Sequence, residues 1–290
     1  MMILENTLLK NKINHIGIAF FLLLVLLPFA GGLLYSLLYA LGLTGILSNG
    51  FTWDNITSVL NSGEMYRSLG FSFYIAVSSI FISLLVAIPA VVSFHHSIAK
   101  SKRSFFVYMP LAIPAIVTVF ISFQLLGKTG LFSATAYQLH IINDLQQFPD
   151  LINDRFGIGI IASHVLMAVP FFLIFFSNIF LSERLPELGK VAASLGAKNQ
   201  QILLRIVLPV LLKRGLTTIL LYFIFVLGSY EIPLILGRQS PQMISVLIVR
   251  KMQRFNLLDI PQGYFLSAIY SFIIILLLFI FLSPKKITEI

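Results

Sequence analysis

Six long apolar runs are the feature of this sequence that most constrains its fold. Each contains at most one charged residue, and they cover 16–38, 69–94, 105–127, 157–181, 215–237 and 264–283. About 20 apolar residues suffice for an α-helix to cross a bilayer. Backbone groups in lipid must hydrogen-bond within the protein, and the strands of a membrane β-barrel would be shorter and alternate in polarity. The runs therefore predict an all-α membrane protein with six transmembrane helices.

Composition supports this membrane assignment and excludes other classes. Hydrophobic residues make up 58% of the chain and charged residues only 11%, against roughly 25% charged in a soluble domain. A net charge of +9 is typical of proteins that bind nucleic acid or an anionic membrane surface. Here the basic residues lie between the apolar runs, so the expected partner is the lipid bilayer and not nucleic acid. The chain has no cysteine, which excludes disulfides and thiolate metal sites, and we expect no cofactor.

Lysine and arginine are unevenly distributed between the two sides of this topology. Of the 20 basic residues, 13 fall in segments 1–15, 95–104, 182–214 and 284–290, and 7 fall in the other connecting segments. Cytoplasmic loops carry the excess of Lys and Arg. We therefore expect both termini and the 182–214 loop to be cytoplasmic, in a multi-pass protein of the cell's inner membrane. The first apolar run is longer than that of a signal peptide and lacks a clean cleavage site, which predicts a retained helix.

One expected outer segment, 238–263, departs from this charge distribution. It contains four basic residues, Arg238, Arg250, Lys251 and Arg254. Residues 245–258 alternate apolar and basic residues with a roughly helical period. Such a segment lies at the membrane surface or docks a partner, or else it is an ordinary amphipathic helix packed on the protein. The sequence leaves these alternatives open.

The 182–214 loop is the most informative segment between the runs. Pro186 suits the first turn of a helix, and Gly196 suits a left-handed residue at a helix end. Apolar residues follow helical spacing on both sides of the glycine, with Leu188, Ala192 and Leu195 before it and Ile202, Leu203, Ile206 and Val207 after it. The pattern predicts a helix, a glycine turn and a second helix, with Pro209 opening the next span. Two interpretations fit these residues equally well. The loop is a docking surface for another protein, or it is folded on its own helix bundle.

The same loop resembles the EAA loop of the permease subunits of ABC-type importers. That family pattern is Glu-Ala-Ala, three residues, a glycine, nine residues, and then Ile-x-Leu-Pro. The matching residues are Ala192, Gly196, Ala197, Ile206, Leu208 and Pro209. Lys190 and Val191 depart from the pattern, because they stand where the family has the glutamate and the first alanine. The stretch 51–69 is also similar to the segment that precedes the second span of these permeases.

The resemblance implies a type I ABC importer permease fold with a cytoplasmic coupling helix. The residues that it implies for ATPase coupling are Lys190, Ala192, Ala193, Leu195, Gly196, Ala197, Ile206, Leu208 and Pro209. The implied partners are cytoplasmic ABC ATPase subunits, a second permease subunit that is the same or homologous, and an extracytoplasmic solute-binding protein. The chain has no G-x-x-x-x-G-K-[ST] phosphate loop, so it is not expected to be an enzyme and ATP hydrolysis is expected in a partner.

Glu231 is the only acid within a predicted span and is the candidate residue of a substrate pathway. A carboxylate in lipid is costly, which makes it a functional hypothesis by default. The surrounding stretch 228–237 is similar to permeases of the spermidine/putrescine type, and this implies a polyamine or another small polar molecule or ion as the solute. The alternatives for Glu231 are a structural partner for Arg238 and a group that water reaches near the outer interface.

Two other classes of multi-span protein compete with an ATP-driven importer. An ion-coupled secondary transporter predicts several intramembrane acids and often repeated halves, and the sequence shows neither. An intramembrane enzyme predicts a cluster of Asp, His or Arg at one membrane level, which the sequence also lacks. The importer permease is therefore the function that the sequence favours.

Overall fold

The structure is a computed structural model that describes residues 17–46, 48, 50–100 and 104–281. Within these ranges the chain is helical and contains no strand. Six of its helices are long and apolar enough to cross a membrane. The prediction of an all-α protein with six membrane-spanning helices is therefore confirmed. Both chain termini and residues 102–103, which entered the orientation prediction, lie outside the described residues.

Twelve helices occur in the described ranges, and we number them in chain order. They are α1 (Gly17–Ala40), α2 (Asp54–Asn61), α3 (Glu64–Lys100), α4 (Ser104–Tyr108), α5 (Ala115–Leu126), α6 (Leu131–Gln138), α7 (Ile158–Ser182), α8 (Leu185–Ser194), α9 (Asn199–Leu227), α10 (Glu231–Leu236), α11 (Ile244–Met252) and α12 (Asp259–Phe281). Short 3₁₀ turns follow α4 at Met109–Ala112 and precede α7 at Leu145–Gln147.

The chain forms two compact units. The first unit comprises the described residues up to Met65 together with Ile248–Ile275, and so contains α1, α2 and most of α12. The second comprises Tyr66–Leu247 and the described residues from Leu276 onward, and so contains nearly all of α3 and the whole of α4 to α10. The 182–214 loop therefore lies entirely within the second unit.

Two of the spanning helices widen into a π-helical turn directly before a proline. In α1 the turn covers Leu22–Leu26 ahead of Pro28, and in α9 it covers Leu203–Val207 ahead of Pro209. A proline in a helix lacks an N–H, and its ring collides with the carbonyl of the residue four positions back. The wider turn bonds to the residue five positions back and so accommodates the ring. Pro209 consequently lies inside a continuous helix and does not open a separate span.

The third predicted span, 105–127, is interrupted at Pro114. Ile113 is extended (φ −83°, ψ 121°) because a following proline disfavours the helical region for the residue before it. The stretch that is long and apolar enough to cross a membrane begins at Ala115 and reaches Gln138 through α5 and α6. The predicted run 105–127, which hydropathy alone delimits, therefore extends across the break at Pro114 and stops short of Gln138.

The fifth spanning helix also differs from its predicted bounds of 215–237. α9 begins at Asn199 and ends before Gly228, which closes its last turn. The chain resumes at Glu231 as the separate short helix α10. Pro233 fits there because the first turn of a helix needs no intrahelical N–H donor. Glu231 is thus the first residue of α10 and does not lie in the spanning helix.

An aromatic core in the second unit joins α3, α7 and α9 at the base of the 182–214 loop. Its buried residues are Ala87, Ile88 and Val91 of α3, Ala168, Phe172, Phe176 and Phe180 of α7, Leu185 of α8, and Val207 and Leu211 of α9. A Cβ at Gly215 would come within 2.7 Å of the Phe176 ring, so α9 approaches α7 this closely because the residue is glycine. The core holds the two helix ends that bracket the loop.

Five charged side chains form an ion-pair network in the first unit. Its members are Glu64 at the start of α3, Arg250 and Lys251 of α11, Arg254, and Asp259 at the start of α12. Lys251 Nζ lies 3.7 Å from a Glu64 oxygen and 3.6 Å from an Asp259 oxygen. The three basic residues at 250–254 are therefore each paired with an acid of the protein. This finding supports the packed amphipathic helix over a segment that lies on the membrane surface.

Candidate functional site

The 182–214 loop begins with a sharp turn between α7 and α8. Arg184 adopts a left-handed backbone (φ +51°) in this turn, and α8 starts at the next residue. Leu185 is the only buried residue of α8, and it lies in the aromatic core. Glu183 pairs with Arg214 of α9 at 3.0 Å, which joins the two ends of the loop. One buried anchor and one ion pair thus fix the base of the loop.

α8 ends in a closed hydrogen-bonded turn at Gly196. The Ala197 N–H donates to the Ala192 carbonyl at 3.0 Å, and the Gly196 N–H donates to the Ala193 carbonyl at 3.0 Å. This is the Schellman arrangement, and it places a left-handed residue at Gly196, whose φ is +90°. The predicted left-handed glycine is confirmed. Ala192, Gly196 and Ala197 of the family pattern thus act together with Ala193 in one turn that ends the first helix of the loop.

The second helix of the loop packs its predicted apolar face inward. Its inward residues are Ile202, Leu203, Ile206 and Val207, all half-buried or buried. A Cβ at Gly189 of α8 would lie 3.5 Å from the Ile202 side chain, so the two helices of the loop contact each other there. At the next turn of α9, Leu208 is half-buried and Pro209 is exposed. The predicted helix, glycine turn and helix are confirmed, and they form a projection whose inner side is packed.

The outer side of α8 presents an apolar stripe. Leu188, Val191 and Leu195 follow one another at helical spacing, and their exposed fractions are 48%, 59% and 83%. Lys190 and Ala193 are also exposed on this helix. Contiguous apolar side chains exposed this far, on a loop outside the six apolar spans, indicate a surface that another molecule covers. The stripe offers apolar contact on a firmly anchored helix, which suits a partner protein.

Val191 is the member of the stripe that the sequence pattern did not identify. The predicted face combined Ala192 with Leu188 and Leu195, but Ala192 is half-buried and its carbonyl accepts a hydrogen bond in the Gly196 turn. Residues three and four positions after Leu188 both fall near the same helical face. Periodicity therefore could not choose between Val191 and Ala192, and only the direction in which α8 packs decides between them.

Glu231 is exposed at the start of α10. Among the ion pairs of the described residues, none involves Glu231, so the predicted structural pair with Arg238 is not found. Its position in a first helical turn suits a carboxylate, because the helix dipole favours negative charge there. Glu231 therefore lies outside the spanning helix α9, and its role in a substrate pathway stays a prediction.

No group of acidic and histidine side chains that could hold a metal ion occurs in the part of the chain that the structure describes. The candidate site on the 182–214 loop is therefore defined by its exposed apolar stripe.

Comparison with solved structures identifies the fold. The chain is similar to a chain of a bacterial ABC transporter involved in the import of the acidic polysaccharide alginate. The match has a TM-score of 0.68 and 18% sequence identity, and it covers 94% of this chain and 94% of that chain. No protein-family model and no curated protein sequence matches the chain. At this identity the structural likeness shows the fold, which is that of an ABC importer permease, as predicted.

Proposed function

We propose that this chain is a membrane-spanning permease subunit of an ATP-driven ABC-type importer. The observation that carries the proposal is the exposed apolar stripe on the 182–214 loop, in a chain that has the fold of an ABC importer permease. Leu188, Val191 and Leu195 stand on a helix whose base is fixed in the core by Leu185. An apolar helix face held in this way suits insertion into a groove on a partner protein.

In this proposal the loop couples the spans to cytoplasmic ATPase subunits. α9 runs without a break from Asn199 through Ile206, Leu208 and Pro209 to Leu227, so a displacement of the loop reaches a spanning helix directly. The Gly196 turn sets the angle between this helix and the helix that carries the stripe. ATP hydrolysis belongs to the ATPase subunits. The remaining partners are a second permease subunit, the same or homologous, and an extracytoplasmic solute-binding protein.

The orientation of the loop is directly testable because the chain contains no cysteine. We expect Asn199→Cys to resist an impermeant thiol reagent in intact cells, and Ser62→Cys and Asp150→Cys to be labelled. All three positions are exposed, so the membrane side rather than burial decides the outcome. All three should react after the cells are permeabilised. Labelling of Asn199→Cys but not of Ser62→Cys in intact cells would place the loop outside and contradict the proposal.

Gly196→Val tests whether the turn matters for coupling. Valine strains a left-handed backbone, at a cost of about 1–2 kcal/mol, yet a Cβ at this position meets no atom within 4 Å. We expect normal membrane insertion and roughly 5- to 30-fold weaker association with the ATPase. The measurement is recovery of the ATPase with the tagged chain at matched membrane levels.

Gly189→Ala is the matched control for that variant. Its new Cβ makes an ordinary contact of 3.5 Å with Ile202, and alanine is favoured over glycine inside a helix. We expect ATPase recovery equal to that of the wild type. If Gly196→Val and Gly189→Ala both retain the ATPase fully, the Gly196 turn has no part in coupling.

The chemical identity of the solute is a separate question from the permease role. The sequence resemblance around Glu231 implied a polyamine, with the carboxylate facing a cation in a spanning helix. Glu231 instead is exposed at the start of the separate short helix α10, so the sequence resemblance alone supports a polyamine. The permease proposal does not depend on this choice.

A further inference from the structure

A cavity of about 570 Å³ in the second unit is lined by three arginines and two aromatic rings. The arginines are Arg67, Arg155 and Arg238, and the rings belong to Phe71 and Tyr74. Ser240 and Pro241 complete the lining, which contains no acidic residue. A cavity of this size is in the range that holds small-molecule ligands.

Local helix geometry and two long-range hydrogen bonds bring these residues together. Arg67, Phe71 and Tyr74 are spaced at i, i+4 and i+7, so they share one face of α3. The Asn153 N–H donates to the Leu236 carbonyl at 2.8 Å, which holds the segment of Arg155 beside the segment of Arg238. The Ile244 N–H donates to Ser72 Oγ at 2.8 Å, which ties the chain after Arg238 to α3.

The three arginines have no acidic partner in the part of the chain that the structure describes. Seven basic residues fall in the expected outer segments. Four of them are ion-paired, namely Lys128 with Asp150 and the three basic members of the first unit's network. Among the described residues the other three, Arg67, Arg155 and Arg238, form no ion pair, and all three line the one cavity.

The acid that is nearest in sequence does not neutralise Arg155. Asp154 accepts the Phe156 N–H at 2.8 Å and the Ile158 N–H at 2.7 Å, so its carboxylate caps the start of α7. Three guanidinium groups around one cavity repel each other, and an anion within it removes that repulsion. Arginine also presents a planar set of donors that matches carboxylate and phosphate groups.

We propose that this cavity is a binding site for a carboxylate or phosphate group. All three arginine side chains are exposed and form no ion pair with another described residue, so they contribute little to folding and are available to a ligand. The rings of Phe71 and Tyr74 supply an apolar wall against which the carbon skeleton of such a ligand packs. A cation such as a polyamine is repelled by the same three charges.

The extension to the transported solute rests on the proposed function. If the chain is an importer permease with its 182–214 loop in the cytoplasm, the cavity lies on the side from which solute arrives. The solute class is then a small anion that carries carboxylate or phosphate groups. Binding by the cavity itself needs neither ATPase nor transport, so the two proposals can fail separately.

The test is calorimetric titration of the full-length purified chain in nanodiscs of neutral phosphatidylcholine. The probes are citrate and inorganic phosphate, with spermidine as the cationic comparison, and chloride keeps the ionic strength constant because salt screens weak attraction. We expect at least one of the two anions to bind and spermidine not to bind. Arg67→Gln, Arg155→Gln and Arg238→Gln should each raise Kd by at least about tenfold.

Two further variants sharpen the result. Lys128→Gln removes one positive charge outside the cavity and should leave Kd unchanged. Arg238→Lys keeps the charge but loses the planar donors, so its Kd should fall between those of the wild type and Arg238→Gln. Absence of binding by both anions, or arginine variants that behave like Lys128→Gln, would overturn the proposal.

Repeating the titration with phosphatidylglycerol in the nanodisc separates a soluble anion from a lipid headgroup. Binding that persists in this anionic lipid supports a soluble ligand. Binding that the anionic lipid suppresses still supports an anion site but assigns it to lipid phosphate, and this result overturns the extension to the solute.

Discussion

Asp259→Asn is expected to lower the free energy of unfolding by about 3–5 kcal/mol, because it removes a buried acid that pairs with the buried Lys251 and with Arg254. The side chains of Asp259 and Lys251 are only 12% and 11% exposed. Asp259 Oδ2 lies 3.1 Å from Arg254 and Oδ1 lies 3.6 Å from Lys251. Of the network's two acids, the variant removes the one that pairs with Arg254 and leaves Lys251 with Glu64 alone among its ion-pair partners in the network.

Removing a cation from the network should cost less stability than removing an acid, because the network holds three cations and two acids. Lys251→Met should be milder than Asp259→Asn, because it leaves Arg250 paired with Glu64 and Arg254 paired with Asp259. Asp150→Asn is the matched control, since its pair with Lys128 is largely exposed and such pairs contribute about 0–1 kcal/mol. The measurement is denaturant unfolding of the full chain in detergent. Equal stability of Asp259→Asn and Asp150→Asn would show that the network does not support the fold.

Leu195→Asp is expected to weaken association with the ATPase by about 2 kcal/mol or more, which is roughly 30-fold. Leu195 is 83% exposed and ends the apolar stripe, so a charge there costs the chain itself little. In the proposed complex the residue enters a partner groove, where an unpaired carboxylate is strongly unfavourable. The measurement is recovery of the ATPase with the tagged chain, together with solute uptake at matched membrane levels.

Leu139→Asp is the control for this surface prediction. Leu139 follows α6 and is also highly exposed, but it lies outside the 182–214 loop. We expect this variant to retain the ATPase. If Leu195→Asp retains as much ATPase as Leu139→Asp, the stripe is not the docking surface.

Features that depend on local sequence could be predicted. The six spans follow from apolar length, and the turn at Gly196 follows from a glycine placed where a helical pattern stops. The inward face of α9 follows from helical period. Each of these signals lies within one turn or one span, so no tertiary information was needed.

The bounds of the third and fifth spanning helices depend on single proline and glycine residues that lie inside apolar runs. Hydropathy reports how apolar a run is, but Pro114 and Gly228 decide where its helices begin and end. The preference of Ile113 for an extended backbone before a proline was available in the sequence. Hydropathy does not register this preference, because Ile113 and Pro114 lie within an apolar run.

Features that depend on long-range contacts were beyond sequence reasoning. The four basic residues in 238–263 appeared to contradict the charge rule. Lys251 instead meets Glu64 from far earlier in the chain, and Arg238 joins Arg67 and Arg155 around one cavity. Only the fold shows that Lys251 is paired with acids and that, among the described residues, no acid pairs with the three arginines. Of the four basic residues in 238–263, three therefore belong to a structural ion-pair network and Arg238 belongs to a candidate ligand site.

The central claim, that this chain is a permease which couples to an ATPase through the 182–214 loop, is tested most directly by purifying the tagged chain from its native membrane in mild detergent. Bound subunits are then identified by mass spectrometry. The account predicts a stoichiometric subunit that contains a G-x-x-x-x-G-K-[ST] phosphate loop, retained by Leu139→Asp and lost from Leu195→Asp. A folded wild-type chain that purifies without any such ATPase would contradict the account.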